Sequence, residues 1–179
     1  SDLTELFEGT SEARGRIVHC DVEKGSVEEG QRWARGIVSD FAKRAFRRPV
    51  TDGELDSVLT PYRVAQEVGA TRLDGLKHSL AAVMISPYFV FKVELDDDPT
   101  STEVRRLNPD ERATRLSYTL GSTLPDDALF AAAESGELTT DEGLSAQIDR
   151  MLDDPRSDAL LRSFAGRWLE FDTLETHEV

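Results

Sequence analysis

The sequence has little of what staples a small fold together. Among 179 residues there is one cysteine, Cys20, and there are three histidines. A lone cysteine excludes an intrachain disulfide and any zinc or iron–sulfur site built from this chain's thiolates. His19, His78 and His177 are far apart and none lies in an HExxH-type pattern, so no metal site is expected. Long apolar runs are missing as well. The best stretch, Leu80 to Val93, is interrupted by Ser86, Pro87 and Lys92, so no membrane span is expected. GxGxxG, Walker A, GxSxG and CxxCH are all absent, which removes the common nucleotide, hydrolase and c-type haem signatures. Positive charge is scarce: 21 Lys and Arg face 35 Asp and Glu, a net charge of −14. Nucleic-acid binding needs a basic surface to neutralise phosphates, so that class is excluded too. The opening SDLTELFEG has no basic segment followed by an apolar one and does not read as a signal peptide.

What the sequence has in quantity is helix punctuation. Ser26 to Glu29 and Thr51 to Glu54 are capping boxes, in which a hydroxyl accepts from the amide three residues on while the glutamate reaches back. The first predicts a helix to about Arg47, stopped by Pro49, with Ala34, Ile37, Val38, Phe41 and Ala45 on one face and Arg32, Arg35, Lys43 and Arg47 opposite. The second predicts a helix that kinks near Pro61 and closes at Gly69. Thr71 to Asp74 caps a third, striped by Leu73, Leu76, Leu80, Val83 and Met84 and ended by Pro87. Strand formers gather only at Tyr88–Val93, and one short run cannot build a sheet, so an extended or helical core plug is expected there.

The stretch ELDDDPTSTE, residues 94 to 103, is polar, acidic and proline-containing, and reads as a linker. Beyond it, Asn108-Pro109 opens a helix striped by Ala113, Leu116 and Leu120. Pro125-Asp126-Asp127 opens another, closed by Gly136; Thr139 to Glu142 caps a sixth with Leu144, Ile148 and Met151 inward. Asp154-Pro155 opens the last, whose Leu160, Leu161, Phe164 and Trp168 form an apolar face continuing to Phe171. The expected architecture is all-α, about seven helices in two small packed domains. The expected boundaries are an N-terminal arm over 1–25, a first domain over 26–95, an acidic linker over 96–105 and a second domain over 106–179.

Each polar constellation carries a plain reading beside a chemical one. His19-Cys20 could pair a nucleophile with a base, but adjacent side chains in an extended segment point apart. Asp126 and Asp127 could form a catalytic dyad, yet they follow Pro125 in the first turn of a helix, where exposed amides and the dipole favour carboxylates, so helix capping is the stronger reading. Asp96-Asp97-Asp98 could bind calcium but lacks the glycine and the terminal glutamate of an EF-hand loop. Residues 31 to 48 hold six basic residues against Asp40 alone, +5, which leaves −19 on the other 161. Arg44, Arg47 and Arg48 are the candidate pairing or docking cluster: arginines can present paired donors to an anionic partner, but Arg44 and Arg48 near the apolar face are expected to meet acidic residues of other helices. No catalytic, cofactor-binding or metal-ligating residue is assigned.

Phe41-Ala-Lys-Arg-Ala-Phe-Arg-Arg-Pro-Val-Thr-Asp52, Ser86-Pro-Tyr-Phe-Val-Phe91, Arg115-Leu-Ser-Tyr118, Leu124-Pro-Asp-Asp127, Arg150 to Arg156 and Phe164-Ala-Gly-Arg-Trp-Leu169 together resemble a known family. It consists of two consecutive helical domains of unknown function in large planctomycete and myxobacterial proteins, which are often exported and frequently carry a c-type cytochrome domain elsewhere. The resemblance spans about residues 17 to 175. It implies a second cysteine where this chain has Trp33, so the family's bridge to Cys20 cannot form here, and a tryptophan where this chain has Gly121. It also implies a second domain running beyond Val179, so that Trp168 and Phe171 become anchors for a core or an interface completed by missing domains or a protein partner. The function expected is a non-catalytic structural or docking module of a larger exported protein or assembly, periplasmic or extracellular. The alternative is an accessory part of a haem-dependent oxidoreductase whose haem lies in a linked domain or partner.

Overall fold

Local capping decides where the helices begin. The computed structural model describes residues 24–92, 94, 98, 100–160, 162, 164 and 168; His19, Cys20, Asp96, Asp97, Leu161, Phe171 and His177 lie outside the described residues. Among the described residues there are nine α-helices, seven of them of seven residues or more, and no strand. The chain divides into two units, residues 1–93 and 94–179.

The first unit contains α1 (Val27–Phe46), α2 (Asp52–Val58), α3 (Thr60–Glu67), α4 (Arg72–Ile85) and the short α5 (Pro87–Val90). Ser26 with Glu29 and Thr51 with Glu54 both close full capping boxes, and Thr71 accepts from Asp74 N–H. At Pro61 the chain breaks rather than kinks: Leu59 ends α2, and Pro61 sits in the first turn of α3, where its missing N–H costs least. No side chain caps α3 from its own N-terminus. Instead the buried Ser79 of α4 accepts the Tyr62 amide at 3.2 Å, so one helix caps another. The two helices can pack this closely because α4 carries Gly75, where a Cβ would come within 3.0 Å of the Tyr62 ring and 3.3 Å of Tyr62 Cα.

The core of this unit is Ala34, Val38, Ala42, Ala45 and Phe46 from α1, Leu55 and Leu59 from the α2 region, Tyr62 of α3, and Leu76, Leu80 and Val83 of α4. Each fully buried leucine or valine among them contributes about 1.5–3 kcal/mol. Tyr88 and Phe89 pack against it while Val90 and Phe91 remain exposed, so the expected core plug is half core and half surface over Tyr88 to Phe91; Val93 lies outside the described residues. At the N-terminal end, the Arg72 guanidinium donates to the carbonyls of Lys24, Gly25 and Ser26, each at 3.0 Å, and fixes the approach to α1.

The second unit contains α6 (Pro109–Gly121), α7 (Asp127–Glu134), a 3₁₀ turn (Glu137–Thr139), α8 (Asp141–Leu152), a second 3₁₀ turn (Pro155–Ser157) and α9 (Asp158–Leu160). Its core joins Ala113 to Leu129, Ala132, Ala133, Leu138 and Met151, with Leu116, Leu120 and Leu144 packed around it. The expected cap at Thr139 is displaced by one residue. Thr139 ends the 3₁₀ turn and its hydroxyl donates to Gly136 O, so Thr140 becomes the N-cap of α8, accepting from Gly143 N–H. Gly143 in turn packs directly on the 3₁₀ turn, where a Cβ would sit 2.3 Å from Glu137 O. Both ends of the acidic stretch are tied to α6: Glu94 accepts two bonds from Arg115, each 2.7 Å, and Arg105 donates two to Glu111, at 2.7 and 2.8 Å.

Candidate functional site

The arginine cluster was the sharpest functional signal, and its three members have three fates. Arg44 lies near the end of α1 and is exposed. Helix α1 stops one residue earlier than the pattern suggests, because Arg47 adopts the left-handed conformation at φ 60° and turns the chain. That turn carries Arg47 away from the solvent face. Its side chain becomes buried, 5% exposed, and donates to the carbonyls of Tyr88 (2.6 Å), Phe91 (2.7 Å) and Phe89 (3.3 Å). This corrects its expected place opposite the core: the guanidinium is spent on the carbonyl groups around the end of α5, which a helix leaves without intrahelical partners.

Arg48 forms the second half of the clamp. It donates to both oxygens of Glu54, at 2.6 and 3.1 Å, and to Pro49 O at 2.9 Å. Its guanidinium carbon lies 4.7 Å from the Tyr88 ring centroid and 5.9 Å from that of Phe46, and the two rings are themselves 5.4 Å apart and tilted by 53°. Stacking of this kind adds about 0.5–2 kcal/mol to a partly desolvated cation. Arg48 thus meets an acidic residue of another helix, as expected, although it lies beyond the end of α1. Glu54 also serves as the reaching member of the capping box, accepting from Thr51 N–H. The bonds from Arg48 outweigh the cost of burial and, with those from Thr51, hold its carboxyl down at about 2. A carboxyl so depressed is a permanent anion near neutral pH and has no proton to offer as a general acid.

Elsewhere in the basic segment the pairing is also internal. Arg35 bridges Asp52 at 2.6 Å and Asp56 at 2.7 Å on the exposed side of α2. An open groove of about 300 Å³ adjoins the clamp, lined by Phe46, Glu54, Ser57, Val58, Ser86 and Tyr88.

In the second unit, Asp126 and Asp127 separate in role. Asp126 is the N-cap of α7, accepting from Leu129 N–H at 3.0 Å. Arg150 adds two bonds at 2.9 and 3.1 Å, and Arg156 one at 3.1 Å. Partial burial pushes the Asp126 carboxyl up, but the two arginines and the Leu129 amide outweigh it and leave it below the ordinary range. Asp127 is the first helical residue, exposed, rather than a cap in its own right. One member is locked into a joint between α7, α8 and the second 3₁₀ turn, and the other sits in the first turn of α7, so the two carboxylates have different surroundings. Arg156 also bonds Asp154, whose carboxyl is held down at about 2 by that guanidinium and by the Arg156 amide.

His78 is exposed on α4, facing an open apolar groove. Trp168 is 72% exposed, with its ring 5.9 Å from that of Phe164; Phe171, its expected companion, lies outside the described residues. Asp98, from the acidic run, accepts from the amide and hydroxyl of Thr100. Among the described residues no group of three or more His, Cys, Asp or Glu is placed to hold a metal ion, and no helix is long and apolar enough to cross a membrane.

Sequence reasoning missed several working residues. The Arg105–Glu111 pair buries a carboxylate that is only 8% exposed, and Arg112 reaches Leu138 O at 2.6 Å to tie α6 to the 3₁₀ turn. The Asn108-to-Glu111 capping box was a visible signal for the first, because its glutamate is the one Arg105 finds. The second depends on packing between elements and has no local signal.

Two family models match the chain in tandem. Residues 33–94 match PSD5, a protein of unknown function (DUF1595), and residues 107–179 match PSD4, a protein of unknown function (DUF1592). The chain therefore carries two consecutive helical domains of unknown function. No curated protein and no solved structure matches it.

Proposed function

We propose that these two domains in tandem form a non-catalytic helical module, a structural or docking part of a larger exported protein or assembly. The observation that carries this reading is the commitment of the candidate charged groups to the fold. Arg47 is buried against three carbonyls, Arg48 is paired with Glu54, and Asp126 is held by Arg150 and Arg156. Chemistry at pH 7 needs titratable groups poised near neutrality and open to a substrate. Here the carboxyls of Glu54, Asp126 and Asp154 are instead depressed, and each is bonded by at least one guanidinium. A rigid scaffold uses such pairs to fix helix ends and inter-helix angles, which is what these do.

The test is affinity capture from an extract of the source organism with this chain as bait, read by mass spectrometry and by haem absorbance. The proposal expects a stoichiometric protein partner without haem in the capture, and no turnover by the chain alone. Co-capture of a haem protein favours the accessory oxidoreductase reading, with the haem supplied from outside this chain. Substrate turnover lost in the Asp126→Asn/Asp127→Asn double variant, with stability unchanged, overturns the non-catalytic reading.

A further inference from the structure

We draw no further inference here: the strongest candidate, the open apolar groove of the first unit lined by Pro61, Val64, Val68, Ala70 and His78 on and beside α3 and α4, has two valines 50% and 76% exposed, but nothing in the structure shows what covers it.

Discussion

Replacing Arg47 with alanine removes a buried guanidinium and leaves three carbonyls without their donor. Two of the bonds, to Tyr88 O and Phe91 O, are short at 2.6 and 2.7 Å; the third, to Phe89 O, is longer at 3.3 Å. Hydrogen bonds to a charged group contribute about 1.5–3 kcal/mol each, so the two short ones at the low end predict a loss of about 3 kcal/mol. Backbone conformation separates the variants. Arg47 sits at φ 60°, where a residue with a Cβ pays about 1 kcal/mol that glycine does not. Arg47→Gly should therefore cost about 2 kcal/mol and Arg47→Ala about 3 kcal/mol. Arg47→Lys keeps the charge but cannot fork across three carbonyls, and should fall near 1–2 kcal/mol. The assay must isolate the first unit, since a chain of two units need not unfold in one step. Native-state hydrogen exchange at the buried Leu76, Leu80 and Val83 of α4 does so. Equal losses for glycine and alanine would refute the left-handed turn. Losses below about 0.5 kcal/mol for all three would refute the clamp itself.

Two further perturbations probe the helix joints. Ser79→Ala leaves the buried Tyr62 N–H without its acceptor and should cost about 1–3 kcal/mol by the same exchange measurement, although it deletes a single oxygen. Asp126→Asn should destabilise the second unit by about 2 kcal/mol in urea unfolding, through a weakened cap and two lost ion pairs, whereas Asp127→Asn should cost less than about 0.5 kcal/mol. The pH dependence follows from the direction of the Asp126 shift. Its folded pKa lies below the unfolded one, so its stabilisation is present above the ordinary aspartate range near 4 and is lost as pH falls through the depressed value. Urea midpoints of the second unit measured from pH 6 down to pH 2 should fall less steeply in Asp126→Asn than in the wild type.

What the sequence disclosed was what lies within a few residues. The boxes at Ser26 and Thr51 form as written, and Asn108 caps its helix as expected, because each is a set of bonds closed over four residues. The α1 and α4 faces were legible from their period, down to Val38, Leu76, Leu80 and Val83. The Thr139 cap failed by one position because a 3₁₀ turn occupies the preceding residues, and nothing in TTDE distinguishes its two threonines. Arg47 was misplaced for a related reason. The wheel continues a helix that a left-handed residue has already ended, and the carbonyls that bury Arg47 lie 41 to 44 residues away. Ser79 is a similar case: a serine inside an apolar stripe looks like a flaw until α3 arrives with an uncapped amide. The tandem-domain organisation was legible from ordered motifs, and both family matches fall where those motifs do.

The central claim is that the FRRP arginines serve the fold, and the Glu54 carboxyl reports on it most directly. Its depression from 4.5 to about 2 comes first from the Arg48 bonds and then, against the cost of burial, from those of Thr51. Such a shift contributes about 3 kcal/mol of stability above the ordinary glutamate pKa, lost as pH falls toward 2. The measurement is a carbon-13 NMR titration of the Glu54 side chain in the wild type and in Arg48→Met. The account predicts a wild-type midpoint of about 2, moved upward toward the usual glutamate range in the variant. A wild-type midpoint near 4.5, unchanged by Arg48→Met, would contradict it and return the arginines to the surface as free donors for a partner.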